Sequence, residues 1–319
     1  LRDIAATIGS SYLRASTVEV LPVLGKGAVN HIFVVRNGAD EIVVRINARL
    51  STLVALDVFT KEAWCLEQAA TAGIHGPQAL RVGELNGTAY MILSCVAGRD
   101  AEDAGEDRMA VWRTVGNYAQ RIHRIELPSR TDLPGEYPTS LLGPLSCTSE
   151  ATWQEQIHQE IGALAGDQDP LRDTVYPSEQ REYISAQLEA LKSVPFRAGL
   201  NHGDLLLRNV MVDSNGRAYL LDWGSAVAHI VPHYDISQII RDRVECGLPD
   251  AAQIAAFFEG YGIPLTEYDR LYRQSAILLL MRRFNKARWA VQSRHPDAHT
   301  FAAHARAVLV HVLSLHPIG

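Results

Sequence analysis

The feature that most constrains this chain is a pair of short apolar runs, Val210-Met211-Val212 and Ala218-Tyr219-Leu220-Leu221, around Asp213-Ser214-Asn215-Gly216. An Asn-Gly step between two such runs predicts a β-hairpin, because Gly takes the positive φ that tight turns demand. A hairpin brings its flanks together. Here they are Asn209, which closes the stretch His202-Gly203-Asp204-Leu205-Leu206-Leu207-Arg208-Asn209, and Asp222, which opens Asp222-Trp223-Gly224. An amide and a carboxylate at the open end offer two oxygen donors to a hard cation, and Asp204 beside them is a carboxylate able to accept a hydroxyl proton.

Two oxygen donors and a base in one place suit Mg2+-assisted phosphoryl transfer, in which catalysis is mostly positioning and charge neutralisation. Their order and spacing reproduce the catalytic loop and metal-binding tripeptide of protein kinases, with Trp223 in place of Phe. Asn209 and Asp222 are therefore the expected metal ligands, Asp204 the expected catalytic residue, and Mg2+ with ATP or GTP the expected cofactors.

The 319 residues allow one large domain or two closely packed ones. With 47% hydrophobic and 21% charged residues, the composition is that of an ordinary globular protein. A net charge of -6 argues against a nucleic-acid partner and permits a cationic small molecule. Cys65, Cys95, Cys147 and Cys246 have no Cys-x-x-Cys spacing, and no apolar run reaches the length of a membrane span. The chain reads as a cytoplasmic enzyme without a membrane partner.

The first hundred residues favour strands: Val18–Leu21, Ile32–Val35, Ile42–Ile46 and Ala89–Leu93, with a helix near 59–72 ended by Gly73. After Gly98 the periodicity is helical almost to the end, including 108–122, a helix capped by Asp250, and a long one from about Thr266 to Ala290. The segment 127–177, rich in Pro, Gly, Ser and Thr, is the least readable. This pattern predicts an α+β, bilobal protein-kinase-like fold. Residues 1–97 form a small β-rich nucleotide-binding lobe with one main helix, and residues 98–319 a larger, mostly helical catalytic and acceptor-binding lobe.

The remaining kinase parts occur in order. Gly25-Lys26-Gly27-Ala28-Val29-Asn30 lies between the first two strands, where glycines let backbone N–H groups approach phosphates. Arg45, near the end of the third strand, stands where kinases place a Lys that holds the phosphates; Glu62, in the next helix, is its expected partner, with Glu67 as a competitor. Ser94 and Val96 follow the buried strand at the lobe junction, where backbone groups meet an adenine edge. His229 and His233 have the i, i+4 spacing of a metal pair, but Pro232 interrupts the helix that such a pair needs.

With these pieces in place, the chain resembles the aminoglycoside phosphotransferase family, the antibiotic-kinase or choline-kinase-like group. The resemblance rests on Leu24–Phe33 as a Gly-x-x-Asn nucleotide loop, Glu62–Leu66 with Gly73–Pro77, Gln120-Arg121-Ile122-His123, His202-Gly203-Asp204, and Tyr234-Asp235. It implies that Asp204 is the catalytic base or hydroxyl-orienting acid, that Asn209 and Asp222 bind Mg2+, and that Arg45 with Glu62 anchors phosphate. It also implies a structural role for His202 and a bracing role for Asp235. Arg45 departs from the commoner Lys. The absence of Ala-Pro-Glu after Asp222 and the early Tyr234-Asp235 argue against a protein kinase.

For the acceptor, the resemblance implies acidic residues of the helical lobe that receive drug ammonium groups. Asp242 and Glu245 are the candidates, with Asp250 and Glu259 nearby, although Asp250 also reads as a helix cap. Arg282, Arg283, Lys286 and Arg288 would oppose a polycation if they faced the cleft, and Trp153 and Trp289 are aromatic candidates for shaping a pocket. Three readings follow: an antibiotic-resistance kinase for an aminoglycoside or related drug, a metabolic kinase for an amino alcohol or sugar, and a nucleotide-binding pseudokinase. Intact Asp204, Asn209 and Asp222 speak against the third.

Overall fold

The computed structural model describes residues 1–23, 30–47, 49–103, 105, 108–127, 147–166 and 168–315. They divide into two compact units. The first holds Leu1–Gly105 with Leu207–Ala226, and the second holds residues 108–127, 147–206 and 227–315. The hairpin segment thus groups with the N-terminal strands, whereas a division at residue 97 places it with the helices.

In the first unit, β1 (Glu19–Pro22), β2 (His31–Asn37), β3 (Asp40–Asn47), β4 (Ala79–Leu85) and β5 (Thr88–Ser94) form an antiparallel sheet in the order β1-β2-β3-β5-β4. Gly38, at φ 62°, makes the tight β2–β3 turn. Phe33 and Val35 on β2, and Ile42 and Val44 on β3, are buried and alternate with more exposed residues, as a half-buried sheet requires, whereas the end of β3 from Val44 to Asn47 is buried throughout.

Two helices accompany the sheet, one more than the single main helix expected. Helix α1 (Arg2–Leu13) packs Ala5 and Ile8 into a core with Val20, Phe33, Val35 and Ile42. Ile4, Tyr12 and Leu13 pack against the same core. Gly9 lies so close to Val35 that an added Cβ would collide with that side chain. Helix α2 (Thr52–Thr71) begins about two turns before the apolar periodicity suggests, because Leu53 and Val54 in its first turn are exposed. Its buried positions are Ala55, Phe59, Cys65, Leu66 and Ala69, together with two charged residues, Lys61 and Glu62.

The hairpin forms as its turn chemistry dictates. Strand β6 (Arg99–Asp100) pairs with β8 (Val210–Val212), which pairs with β9 (Ala218–Leu220) in the register Val210↔Leu220. The Asp213 carboxylate accepts N–H bonds from Asn215 and Arg217, and Gly216 takes φ 78°. At the open end the Leu221 N–H donates to the Asn209 carbonyl at 2.8 Å, which sets Asn209 beside the residue preceding Asp222.

The second unit holds α3 (Arg108–Ile122), α4 (Glu150–Ala165), α5 (Arg181–Ala190), a two-stranded pair of β7 (Ala198–Asn201) and β10 (Val227–Ile230), then α6 (His233–Cys246), α7 (Ala251–Tyr261), α8 (Leu265–Gln292) and α9 (Ala298–Ser314). Asp250 and Gln253 form a capping box at the start of α7, and Gly262 ends it in the left-handed region. No described helix is long and apolar enough to cross a membrane. All four cysteines are free thiols.

Helices α3 and α7 pack backbone to backbone. A Cβ on Gly116 would strike the Phe257 carbonyl oxygen, and one on Gly260 would strike the Arg113 carbonyl oxygen. Neither obstacle is a flexible side chain, so the helices themselves must separate. Gly260→Ala is expected to cost about 1–3 kcal/mol by overpacking, read from urea denaturation; a gain in stability, as an ordinary helical Gly→Ala exchange gives, would contradict this packing.

Candidate active site

In the first unit the site is built around a buried cation. Arg45 sits on β3 opposite Ile32 of β2 and Met91 of β5, and its side chain is 8% exposed. One arm of its guanidinium makes a short hydrogen bond to the Glu62 carboxylate; the other reaches Asp222 Oδ1 at 3.3 Å. Burial disfavours the Arg45 charge, but the carboxylates of Glu62 and Asp222 outweigh it and hold the group charged. Burial pushes the Glu62 carboxyl up from its ordinary range against the pull of Arg45. Glu67, the competing carboxylate, is exposed.

Arg45 Nε and Glu62 Oε2 are buried without a hydrogen-bond partner among the described residues. Such groups are costly unless another group meets them. Asp222 itself adopts φ 57°, ψ 72°, a left-handed conformation that costs a non-glycine residue about 1–3 kcal/mol and is held only by its surroundings. Its side chain is 51% exposed, so its carboxylate remains open to a ligand.

The other expected nucleotide contacts divide. Asn30 is tied to the end of β3, its Oδ1 accepting from Asn47 Nδ2 at 2.9 Å. Gly25 and Gly27 lie outside the described residues. The Ser94 N–H donates to the Gln78 carbonyl, and the Ser94 hydroxyl accepts from the Gln78 N–H, so that amide is committed to the protein. Ser94 and Val96 instead line a groove of about 660 Å³ with Gln78, Gly98, Asp213 and Tyr219. Arg45, Glu62 and Asp222 do not contribute to its walls.

In the second unit, β7 delivers the chain into His202-Gly203-Asp204. The buried Asp235 carboxylate of α6 accepts the backbone N–H groups of His202 at 3.0 Å and Gly203 at 2.7 Å. His123, at the end of α3, joins Asp235 at 3.0 Å through Nε2 and the Tyr261 hydroxyl at 2.9 Å through Nδ1. Gly203 takes φ 80°, which an L side chain rarely adopts. His202 is fully buried, and its Nδ1 accepts the Asp204 N–H at 3.3 Å.

The Asp204 carboxylate meets Arg241 Nη2 at 2.9 Å, a partner that the sequence reading missed. The same guanidinium donates to Asp242 and, at 2.8 Å, to Gln238 Oε1. Asp242 is thus ion-paired with Arg241, and Glu245 makes a short ion pair with Arg283. Glu259 pairs with Arg113 at 2.7 Å, and Asp250 caps α7. Arg288 is buried with Glu160 and Asp169, and Arg282 lies over the Tyr234 ring at 4.1 Å. Trp153 is core, whereas Trp289 is exposed beneath Lys286. His229 lies on β10 and His233 opens α6; burial lowers their pKa values to about 3 and about 4, so both are neutral near pH 7.

Lys61 also escaped the sequence reading. Its ammonium donates to the Gly224 carbonyl at 2.6 Å and to the Ala226 carbonyl at 3.1 Å. The signal was present: two consecutive charges, Lys61 and Glu62, interrupt the buried face between Phe59 and Cys65.

Removing Arg45 leaves Glu62 buried without its cation. Arg45→Met is expected to lose about 3–5 kcal/mol at neutral pH. In the variant, Glu62 loses the cation that pulls its pKa down, so burial raises the folded value further. Above the ordinary value of 4.5, the unfolded chain ionises while the variant's folded state holds the proton, and its folding weakens as pH rises. The loss should therefore be smaller at pH 5 than at pH 8 by urea denaturation; a loss that grows on acidification would contradict the pairing.

The profile of a family described as APH, Phosphotransferase enzyme family, matches residues 20–273. Among solved structures, the GDP complex of aminoglycoside 2'-phosphotransferase-IIIa is similar with a TM-score of 0.68 at 15% identity, covering 97% of this chain and 99% of that one. A choline/ethanolamine kinase family protein from Mesorhizobium loti gives 0.62 at 18% identity, over 98% and 94%. A thermostable mutant of aminoglycoside phosphotransferase APH(4)-Ia, in a ternary complex with ADP and hygromycin B, gives 0.59 at 17%, over 96% and 97%. These likenesses show a shared fold. No curated protein matches the sequence.

Proposed function

The chain belongs to the phosphotransferase enzyme family, and from that premise we propose that it moves the γ-phosphoryl group of ATP or GTP to a hydroxyl of a small molecule. The observation that carries this reading is the Arg45 guanidinium held between Glu62 and Asp222. Arg45 is assigned to the donor phosphates: its charge is maintained, it has an unused buried donor, and a guanidinium engages phosphate oxygens with two parallel bonds.

Asn209 and Asp222 fit a Mg2+ ion by the chemistry of their donor set. Both offer oxygen, the carboxylate is half-exposed, and the Leu221–Asn209 hydrogen bond fixes their spacing. Bound there, the ion would neutralise charge on the donor phosphates. Asp204 is assigned to orient the acceptor hydroxyl and receive its proton; Arg241 holds the carboxylate in place. Asp235 fixes the loop that carries Asp204 by bonding two successive backbone N–H groups, and His123 and Tyr261 support Asp235 in turn.

For the acceptor, the first choice is an aminoglycoside or related hydroxylated antibiotic, which makes the protein a resistance kinase. It is supported by the presence of aminoglycoside kinases among proteins of the same fold. A second reading, a metabolic kinase for an amino alcohol or sugar, draws on the ion pairs of Asp242 and Glu245: a polycation would have to compete with Arg241 and Arg283 for both carboxylates.

The test is product mass spectrometry after incubation with Mg2+ and ATP or GTP against aminoglycosides, other hydroxylated antibiotics, amino alcohols and sugars. One acceptor is expected to gain a single phosphoryl group, with the gain lost in Asp204→Ala while nucleotide binding persists. Undiminished turnover in Asp204→Ala would remove that residue from the mechanism. A gain confined to metabolites would discard the antibiotic reading.

A further inference from the structure

Lys61 is as deeply buried as Arg45, yet the phosphoryl-transfer reading assigns it no task. A buried ammonium has three donors to satisfy and is expensive to leave unmet. Burial drives its pKa down, against the opposing pull of nearby negative groups. The partners it finds are backbone oxygens: the Gly224 carbonyl at 2.6 Å and the Ala226 carbonyl at 3.1 Å. Both follow Asp222 closely, Gly224 within the short 3₁₀ turn Trp223–Ser225 and Ala226 at its end.

We propose that Lys61 is a positioning residue for the metal-binding carboxylate, its ammonium tying the turn after Asp222 to α2 and so fixing where Asp222 presents its oxygens. The proposal rests on the reading of Asn209 and Asp222 as metal ligands. Asp222 stands in a left-handed conformation with half its side chain exposed, so its direction depends on what anchors the adjacent backbone. The buried Trp223 side chain and the bond from the Ala226 N–H to the Trp223 carbonyl hold the turn together. Lys61 connects that turn to a helix.

The neighbouring residue completes the device. Glu62 binds Arg45, and Arg45 reaches Asp222. Two consecutive residues of α2 therefore hold the two sides of one contact, Glu62 through the arginine and Lys61 through the turn. A shift of the turn relative to α2 would change the Arg45–Asp222 spacing and the aim of the carboxylate together. Outer partners of metal ligands act in this way, orienting the ligand without touching the ion.

The experiment is calorimetric titration of the full chain with ADP and GDP, with and without Mg2+, for the parent, Lys61→Met, Lys61→Gln and Lys61→Arg. Lys61→Met is expected to lose about 10–100-fold of the affinity that Mg2+ adds, leaving metal-free affinity unchanged. Lys61→Arg, which keeps charge and donors, should recover most of the metal effect, and Lys61→Gln should fall between. A Lys61→Met protein with the parent's full metal effect, or one that loses metal-free and metal-assisted affinity by the same factor, would overturn the proposal. Should Lys61→Met fail to fold, the same criteria apply to Lys61→Gln. A parent without any metal effect would overturn the assignment of Asn209 and Asp222 as well, whereas a metal-sensitive parent with an equally sensitive variant overturns Lys61 alone.

Discussion

The structure of the first unit depends on keeping one guanidinium charged inside the protein. Arg45 is enclosed by β3 and its neighbours, where an unpaired cation would cost several kcal/mol. Glu62 and Asp222 resolve this, and each imposes a requirement elsewhere. Glu62 must be buried, so α2 must pack its charged positions inward. Asp222 must reach back to a strand 177 residues earlier in the chain, so the hairpin must pack with the N-terminal sheet. The same needs that stabilise the fold therefore place a buried guanidinium next to a half-exposed carboxylate.

The second unit solves a different problem with the same economy of means. A loop that holds a carboxylate such as Asp204 in one place must be rigid, yet loops have few partners of their own. Asp235 supplies both oxygens to successive backbone N–H groups, and His123 and Tyr261 secure Asp235 from α3 and α7. Close packing of α3 on α7 through Gly116 and Gly260 fixes the distance between those two supports. Helix packing far from the chemistry thereby sets the geometry of His202-Gly203-Asp204.

What was legible in the sequence was local. The Asn-Gly step and its flanking runs predicted β8–β9, Asp250 predicted the start of α7, and apolar periodicity predicted α3 over 108–122. The pairing of Arg45 with Glu62 followed from order along the chain, and the structure brings them together. What was not legible depends on partners distant in sequence. The burial of Lys61 was signalled by its place on the apolar face of α2, but its partners, backbone carbonyls 163 and 165 positions away, were not, and Arg241 meets Asp204 across 37 positions. Helix α1 was legible but not read: Ile4, Ile8 and Tyr12 recur at helical spacing and pack on the core. Asp242 and Glu245 were legible as acidic residues but not as members of ion pairs.

The most direct test of the account is an anomalous diffraction measurement on crystals grown with Mn2+ and a non-hydrolysable nucleotide. An anomalous peak is expected at coordination distance, about 2.0–2.2 Å, from both Asn209 and Asp222, with a phosphate oxygen completing the shell and the Arg45 guanidinium turned to the phosphates. A peak elsewhere, or a nucleotide bound with no metal at Asn209 and Asp222, would contradict the account.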